Sequence, residues 1–393
     1  MEKSQLKQKV VAQVDAFEEL LWETVMTLYD NPEIAFEEHK SSALLANTLQ
    51  EHGFEIERQV ADLETAFRAR QIGQPEGPTV AILAEYDALP GLGHACGHNL
   101  IAASALGAGL ALNSVIDQLG GQVQVIGTPA EEGGGGKCIM VNAGVFDEVD
   151  AAMMFHPSRK TMVTRQSLAS IRLYVEFFGK PAHAAASPEA GINALDACIL
   201  MFNNINALRQ HMKHKTRIAG IIKDGGEAAN IVPAYTSAEF SVRGATATHR
   251  AEVLERVIAC AEAAAQATGC RLKYKTSLGY DNMIPNGVLA DLFTANIETF
   301  GRKVIAPAPN EPMGSTDMGN VSQIVPAIHP YLETVAPHVK GHTIEFRETC
   351  ISPAGRAAML DAAKAIAMTV VDLLSDPTLI TQAKAQLAEN SKQ

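Results

Sequence analysis

Positive charge and unbroken apolar length are what these 393 residues have least of. Lys and Arg total 32 against 44 Asp and Glu, a formal charge of −12, which argues against nucleic acid or an anionic membrane as the main partner. The longest strongly apolar stretch, Leu100 to Ile116, is diluted by Ser104, Asn113 and Ser114 and falls short of the roughly 20 apolar residues that a membrane span needs. Met1 to Asp15 mixes Lys, Glu and Gln with scattered Val and Leu, so no secretory signal is expected there. Cys96, Cys138, Cys198, Cys260, Cys270 and Cys350 lack framework spacing, which predicts reduced thiols and a cytoplasmic location. There is no internal repeat and no low-complexity linker. A composition of 47% hydrophobic and 19% charged residues is globular. The length exceeds the roughly 250–300 residues at which one core stops growing, so two domains are expected.

Leu6, Val10, Val14, Phe17, Leu21, Val25 and Leu28 recur at helical spacing and predict one amphipathic helix over 5–29, with a second over 37–52. The period then changes. Short apolar runs at Thr79–Ala84, Val123–Ile126 and Ala151–Phe155 read as strands buried on both faces. They alternate with helices over 99–116, capped by Asn99, and over 135–143. This is the grammar of a parallel sheet with crossover helices, in which ligands bind beyond the carboxyl ends of the strands. Each strand delivers metal-capable residues there: Asp87 with Cys96 and His98, then Glu131 and Glu132, then His156.

The middle of the chain reads differently. A strand at 171–178, a helix at 193–212, strands at 217–222 and 235–243, a helix at 247–268 closed by Gly269 and a strand at 271–278 give the order β-α-β-β-α-β, a ferredoxin-like module. The expected organisation is therefore a first domain over 1–168 and 281–393, interrupted by an inserted domain over 169–280. The second part of the first domain ends in a helix over 353–374, and the polar, Ala-rich residues 376–393 are expected to fray.

A lone Cys96-Gly97-His98 is a weak signal, since most such pairs are packing. It gains weight from its setting, a glycine-punctuated loop of residues 91–99. Glu131-Glu132 followed by four glycines is at first sight a solvated acidic turn. Gly136-Lys137 also imitates the end of a phosphate loop, but the required first glycine falls at Glu131 and Cys138 stands where Ser or Thr is needed. That disfavours a nucleotide-binding protein. Two adjacent carboxylates at the end of a buried strand suit a division of labour, one ligating metal and one accepting a proton from water. His183 falls in the inserted module and His342 where the first domain resumes. His94, His329 and His338 are taken as structural.

Together, Glu85-Tyr86-Asp87-Ala88-Leu89-Pro90, His94 to Asn99, Thr128 to Gly136, Gly179 to His183, Gly225 to Pro233 and Gly341-His342-Thr343 resemble metallopeptidase family 20, the aminoacylase and carboxypeptidase G2-like amidohydrolases. The branch with a Cys-Gly-His motif is the most similar. Asn99 and the Glu-Tyr-Asp triplet resemble its members acting on aminobenzoyl-glutamate and dipeptides more than those acting on auxin conjugates. The resemblance implies a zinc-peptidase-like α/β fold, a mainly parallel sheet flanked by helices with an inserted dimerisation domain. It implies two divalent ions held by Cys96, His98, Glu132, His156 and His342, with Cys96 bridging them. Zinc suits the N, S and O donors best, and manganese or cobalt is an alternative. Glu131 is then the general base and Asp87 orients a ligand. His183 reaches the site of a partner subunit in a homodimer, and Asn230 and Arg243 bind substrate. The expected activity is hydrolysis of the amide in N-acyl amino acids, aminobenzoyl-glutamate-like conjugates or dipeptides. The rival from another class is a non-catalytic metal-binding subunit of the same fold, which the presence of all five ligands and the base disfavours.

Overall fold

A computed structural model describes residues 1–390, which fall into two compact units. The first comprises Met1–Gln166, Met283–Pro312 and the chain from Asp317 onward. The second is Ser167–Asn282 with Met313–Thr316.

The first unit opens with α1 (Lys3–Ala16), α2 (Glu18–Asp30) and α3 (His39–Glu51). The single helix expected over 5–29 is thus two, broken at Phe17, whose ring packs edge-on against His52. Two strands that the apolar pattern did not reveal follow, β1 (Glu55–Arg58) and β2 (Phe67–Ile72). Next come β3 (Gln74–Ala84), α4 (His98–Asn113), β4 (Gly120–Gly127), α5 (Gly136–Asn142), β5 (Ala151–Met153) and β6 (His156–Ser158).

The main sheet has β3 at its heart, parallel to β4 on one side and β5 on the other. Ile82 stands level with Val125 and Met153, so the three strands end together and release their following residues onto one edge. The antiparallel pair β1 and β2 extends the sheet beyond β4. Its apolar face is short, and its sequences, EIER and FRARQI, alternate charge with apolar residues as a half-solvated edge does. Helix α4 is buried all round and packs on β3 and β4 as well as on α1 and α2. Its N-cap is Gly97 rather than Asn99, which lies inside the first turn. Gly97 holds φ at 81°, and a Cβ there would meet Pro157 at 2.4 Å, so both conformation and space select glycine.

The second unit contains β7 (Ala169–Phe178), α6 (Ala194–Arg209), β8 (Arg217–Asp224), β9 (Tyr235–Gly244), α7 (Ala247–Thr268) and β10 (Arg271–Thr276). The sheet order is β10-β7-β9-β8, antiparallel throughout. Strand β9 alternates strictly: Ala238, Phe240 and Val242 face a core shared with Ala197, Met201, Val253 and Val257 of the two helices, and Ser241 and Arg243 lie on the other face.

The first unit resumes with α8 (Gly287–Glu298), α9 (Met318–Ile324), β11 (Ala327–Ile328), β12 (Tyr331–Glu333), α10 (Ile344–Cys350), α11 (Pro353–Ser375) and α12 (Thr378–Asn390). Strand β11 adds to β5 and β12 pairs with β6, both parallel. The tail expected to fray is helical to Asn390, anchored by buried Ile380 and Ala383. Its last three residues, 391–393, lie outside the described residues. Among the described residues no helix is long and apolar enough to cross a membrane. All six cysteines are free thiols.

Candidate metal centre

The residues after β3, Glu85-Tyr86-Asp87, are buried, so their charges must find partners within the protein. Asp87 does so twice: Oδ1 lies 2.9 Å from His98 Nδ1, and Oδ2 accepts the backbone N–H of Glu132 at 2.9 Å. The Asp87 carbonyl oxygen is also 2.9 Å from His98 Nδ1. With that nitrogen held as a donor, Nε2 is the atom His98 presents to an ion. His156 is set the same way, its Nδ1 2.8 Å from the Pro157 carbonyl and its Nε2 3.4 Å from Cys96 Sγ.

Beyond β4 the chain turns sharply. Ala130 holds φ at 62°, and its N–H donates to buried Glu38, whose second oxygen accepts from Thr65 Oγ1. Its carbonyl accepts from Gly134 and Gly135, closing a tight loop around Glu131 and Glu132. At Gly136 a Cβ would stand 2.0 Å from the Pro129 oxygen, which explains that glycine by contact rather than by conformation. His342 comes from the loop before α10, at φ 60°, with its N–H on the Ala95 carbonyl. Its Nε2 reaches Glu132 Oε1 at 3.4 Å with 53% of the side chain exposed.

The structure brings Asp87, Cys96, His98, Glu131, Glu132, His156 and His342 together. Three groupings have every ligand atom within 4.8 Å of the others: Cys96 with His98 and His156, Cys96 with Glu132 and His342, and His98 with Glu131 and Glu132. The first two share the Cys96 thiol. Glu132 Oε1 is buried without a hydrogen-bond donor, between two imidazole nitrogens. A buried carboxylate oxygen in that state is what a cation satisfies, and two imidazoles, a thiol and a carboxylate are a zinc-type donor set. These residues fit divalent ions.

Charge at the centre is finely divided. Burial, then the carboxylates of Glu85, Asp317 and Glu132, push the Glu131 pKa well up. Burial and Glu132 likewise keep the Cys96 thiol protonated well above its ordinary range. Against burial, Asp87 and Glu85 raise the His98 pKa. Burial lowers His156 to about 3, keeping its imidazole neutral.

Several neighbours were not foreseen. Lys137 is wholly buried, ion-paired to Glu85 and Asp317. Its only signal was a lysine placed between glycine and the apolar Cys138-Ile139-Met140, which forces burial and hence an acid partner. Tyr331 lies 5.3 Å from the His156 ring, under the Arg165 guanidinium at 4.4 Å. His329, taken as structural, is buried 5.5 Å from His156 with neither ring nitrogen bonded, and His94 is also buried and unbonded.

His183, Asn230 and Arg243 belong to the second unit. His183 is exposed and pairs with Ile231 in an isolated bridge, and the Asn230 carbonyl accepts the Ala184 N–H at 3.0 Å. His183 Nδ1 accepts from the N–H groups of Ala185 and Ala186 at 3.2 and 3.1 Å, which leaves Nε2 as a donor. Arg243 is half-buried, with Ser315 Oγ 3.4 Å from Nη1 and Ser241 Oγ 3.5 Å from Nε. Among the described residues no carboxylate pairs with it.

The sequence profile of peptidase family M20/M25/M40 matches residues 75–359. A mouse Xaa-Arg dipeptidase is 39% identical over 95% of this chain and 90% of its own length. One of the p-aminobenzoyl-glutamate hydrolase chains of Escherichia coli is 36% identical over 70% of this chain and 61% of its own. A crystal structure of a dinuclear metal-binding M20 peptidase from Bacillus subtilis superposes with a TM-score of 0.70 at 23% identity, covering 92% of this chain and 99% of the other. The profile spans most of the chain and the dipeptidase match nearly all of it, so the chain belongs to peptidase family M20/M25/M40 and is a metal-dependent amidohydrolase.

Proposed function

We propose that the protein is a dinuclear amidohydrolase that splits a dipeptide or an N-acyl or aminobenzoyl amino acid carrying a free α-carboxylate. The observation that carries this is the pair of ligand groupings sharing Cys96, with Glu131 beside them. Cys96, His98, Glu132, His156 and His342 would hold the ions, and Asp87 fixes His98 through Nδ1. Zinc suits the donors best, with manganese or cobalt as alternatives. Bound ions supply Lewis acidity, polarising the scissile carbonyl and making a water acidic near neutral pH. Glu131 would take a proton from the attacking water on its carboxylate and return it to the leaving amine. Arg243 offers a planar pair of donors to the substrate's carboxylate, consistent with its lack of an acidic partner.

Residues 169–280 serve as the dimerisation domain. Ile199 and Leu200 on α6 and Ile221 and Ile222 on β8 are large apolar side chains left exposed, which a second copy would cover. His183 then donates from Nε2 to the oxyanion in the partner's site, and Asn230 stands beside it. The free thiols favour the cytoplasm. The reading is tested by assaying dipeptides, N-acyl amino acids and aminobenzoyl-glutamate before and after chelation and with each metal restored. Close to two ions per chain and chelator-sensitive hydrolysis of one class are expected. Full activity in metal-free protein overturns the reading.

A further inference from the structure

Lys137 has no part in the proposed reaction, yet its ammonium is buried beside the groups that do. Nζ lies 2.5 Å from Glu85 Oε1 and 2.7 Å from Asp317 Oδ1, and the Lys137 backbone N–H donates to Asp317 Oδ2 at 2.9 Å. Asp317 therefore grips both ends of the lysine and leaves it no room to swing. Two carboxylates against one ammonium leave the group with one surplus negative charge, and a buried surplus needs a counterpart.

Its position is telling. The second oxygen of Glu85, Oε2, lies 3.5 Å from His98 Nε2, the atom that Asp87 leaves facing the ions, and Glu132 Oε1 lies 3.9 Å from the same nitrogen. Two carboxylates thus crowd one candidate ligand atom. What distinguishes them is the lysine, because Glu85 is bonded to an ammonium and Glu132 Oε1 has no donor at all.

We propose that Lys137 is a positioning residue that locks Glu85 in the role of counter-charge, keeping it out of the ligand set and so fixing the coordination number and metal preference of the centre. The proposal rests on the dinuclear reading. Freed from the lysine, Glu85 adds a hard oxygen ligand next to His98. Oxygen ligands favour manganese over zinc relative to thiolate and imidazole.

Lys137→Met alone strands two buried carboxylates, so the informative pair is Lys137→Met/Asp317→Asn and the same double variant with Glu85→Gln added. These two proteins differ only in the charge on Glu85. Each is equilibrated with equal limiting zinc and manganese and analysed for bound metal, and each is loaded with cobalt for its visible spectrum. The double variant should raise the manganese-to-zinc ratio by about 10–100-fold, the range by which groups supporting a ligand shift metal affinity. Its cobalt bands should weaken as the ligand number rises, and Glu85→Gln should return both readouts to wild type. If the two variants behave alike while wild type holds its two ions, the lock is wrong and the dinuclear reading stands. A wild type that binds no ions overturns both. Glu85→Gln alone keeps the Lys137–Asp317 pair and should keep the wild-type ratio. A shift in that variant shows Glu85 to be a ligand already and also overturns the lock.

Discussion

The edge of the parallel sheet in the first unit and the loops and sheet of the second both carry chemistry-bearing side chains, but they treat them in opposite ways. At the parallel edge nearly every charge is buried and bonded: Asp87 to His98 and Glu132, Lys137 to Glu85 and Asp317, Glu38 to Thr65 and Ala130. Breaking one partner out of such a buried ion network costs about 3–5 kcal/mol. The second unit leaves His183 and Asn230 in solvent and Arg243 without an acid. Burial compels groups to satisfy one another, whereas solvent can satisfy an exposed group without any protein partner.

The largest effects should come from the buried edge. Glu131→Gln is expected to keep its metal and lose about 10²–10⁴-fold in kcat, the usual worth of a general acid–base group, whereas Glu132→Gln loses metal too. Metal analysis beside kinetics decides it, and equal metal loss in both variants would break the division between neighbouring carboxylates.

In the second unit, His183→Ala should be inactive alone yet complement Glu131→Gln. When the two chains are refolded together, some heterodimers carry one intact composite site, so activity should return towards a quarter of wild type if subunits pair at random and sites act independently. Confirmed heterodimers with no activity would remove His183 from the partner's site. Arg243→Lys should raise KM by about tenfold for substrates with a free α-carboxylate, since lysine cannot reproduce the bidentate pair, with metal content unchanged. Amidating the substrate should weaken wild type far more than this variant, and equal turnover of both substrates by wild type would exclude a carboxylate clamp.

The smallest effect concerns Glu38, which burial raises from 4.5 to about 7. Between those values the folded protein holds more protons than the unfolded chain, so wild-type stability falls as pH rises through the window. The slope approaches about 1.4 kcal/mol per pH unit. Glu38→Gln removes this dependence while keeping acceptors and donors for Ala130 and Thr65. Its stability relative to wild type should therefore be greater at pH 8 than at pH 5 in denaturant unfolding. A constant difference would show that Glu38 is not a buried acid.

Much of this was legible in the chain. The three buried strands are short continuous apolar runs, but the register that levels Ile82 with Val125 and Met153 is set by packing and not by those runs. The β-α-β-β-α-β order of the second unit could be read because β7 and β9 alternate and each helix keeps its period over many residues. The strands β1 and β2 could not, because charged residues on a half-solvated strand erase the run that marks a buried one. The break at Phe17 was equally hidden, since apolar spacing continues through it.

By itself, then, the sequence determined the elements and the candidate ligands at their ends, because periodicity, glycine punctuation and short motifs are properties of neighbouring residues. The meeting of Lys137 with Asp317, 180 residues away, and of His342 with Glu132 was decided only by tertiary structure. So was the contrast between a Glu85 spent on an ammonium and a Glu132 left open. Pairing of buried charges is settled by which groups the packed sheet removes from water together, and no local pattern records that.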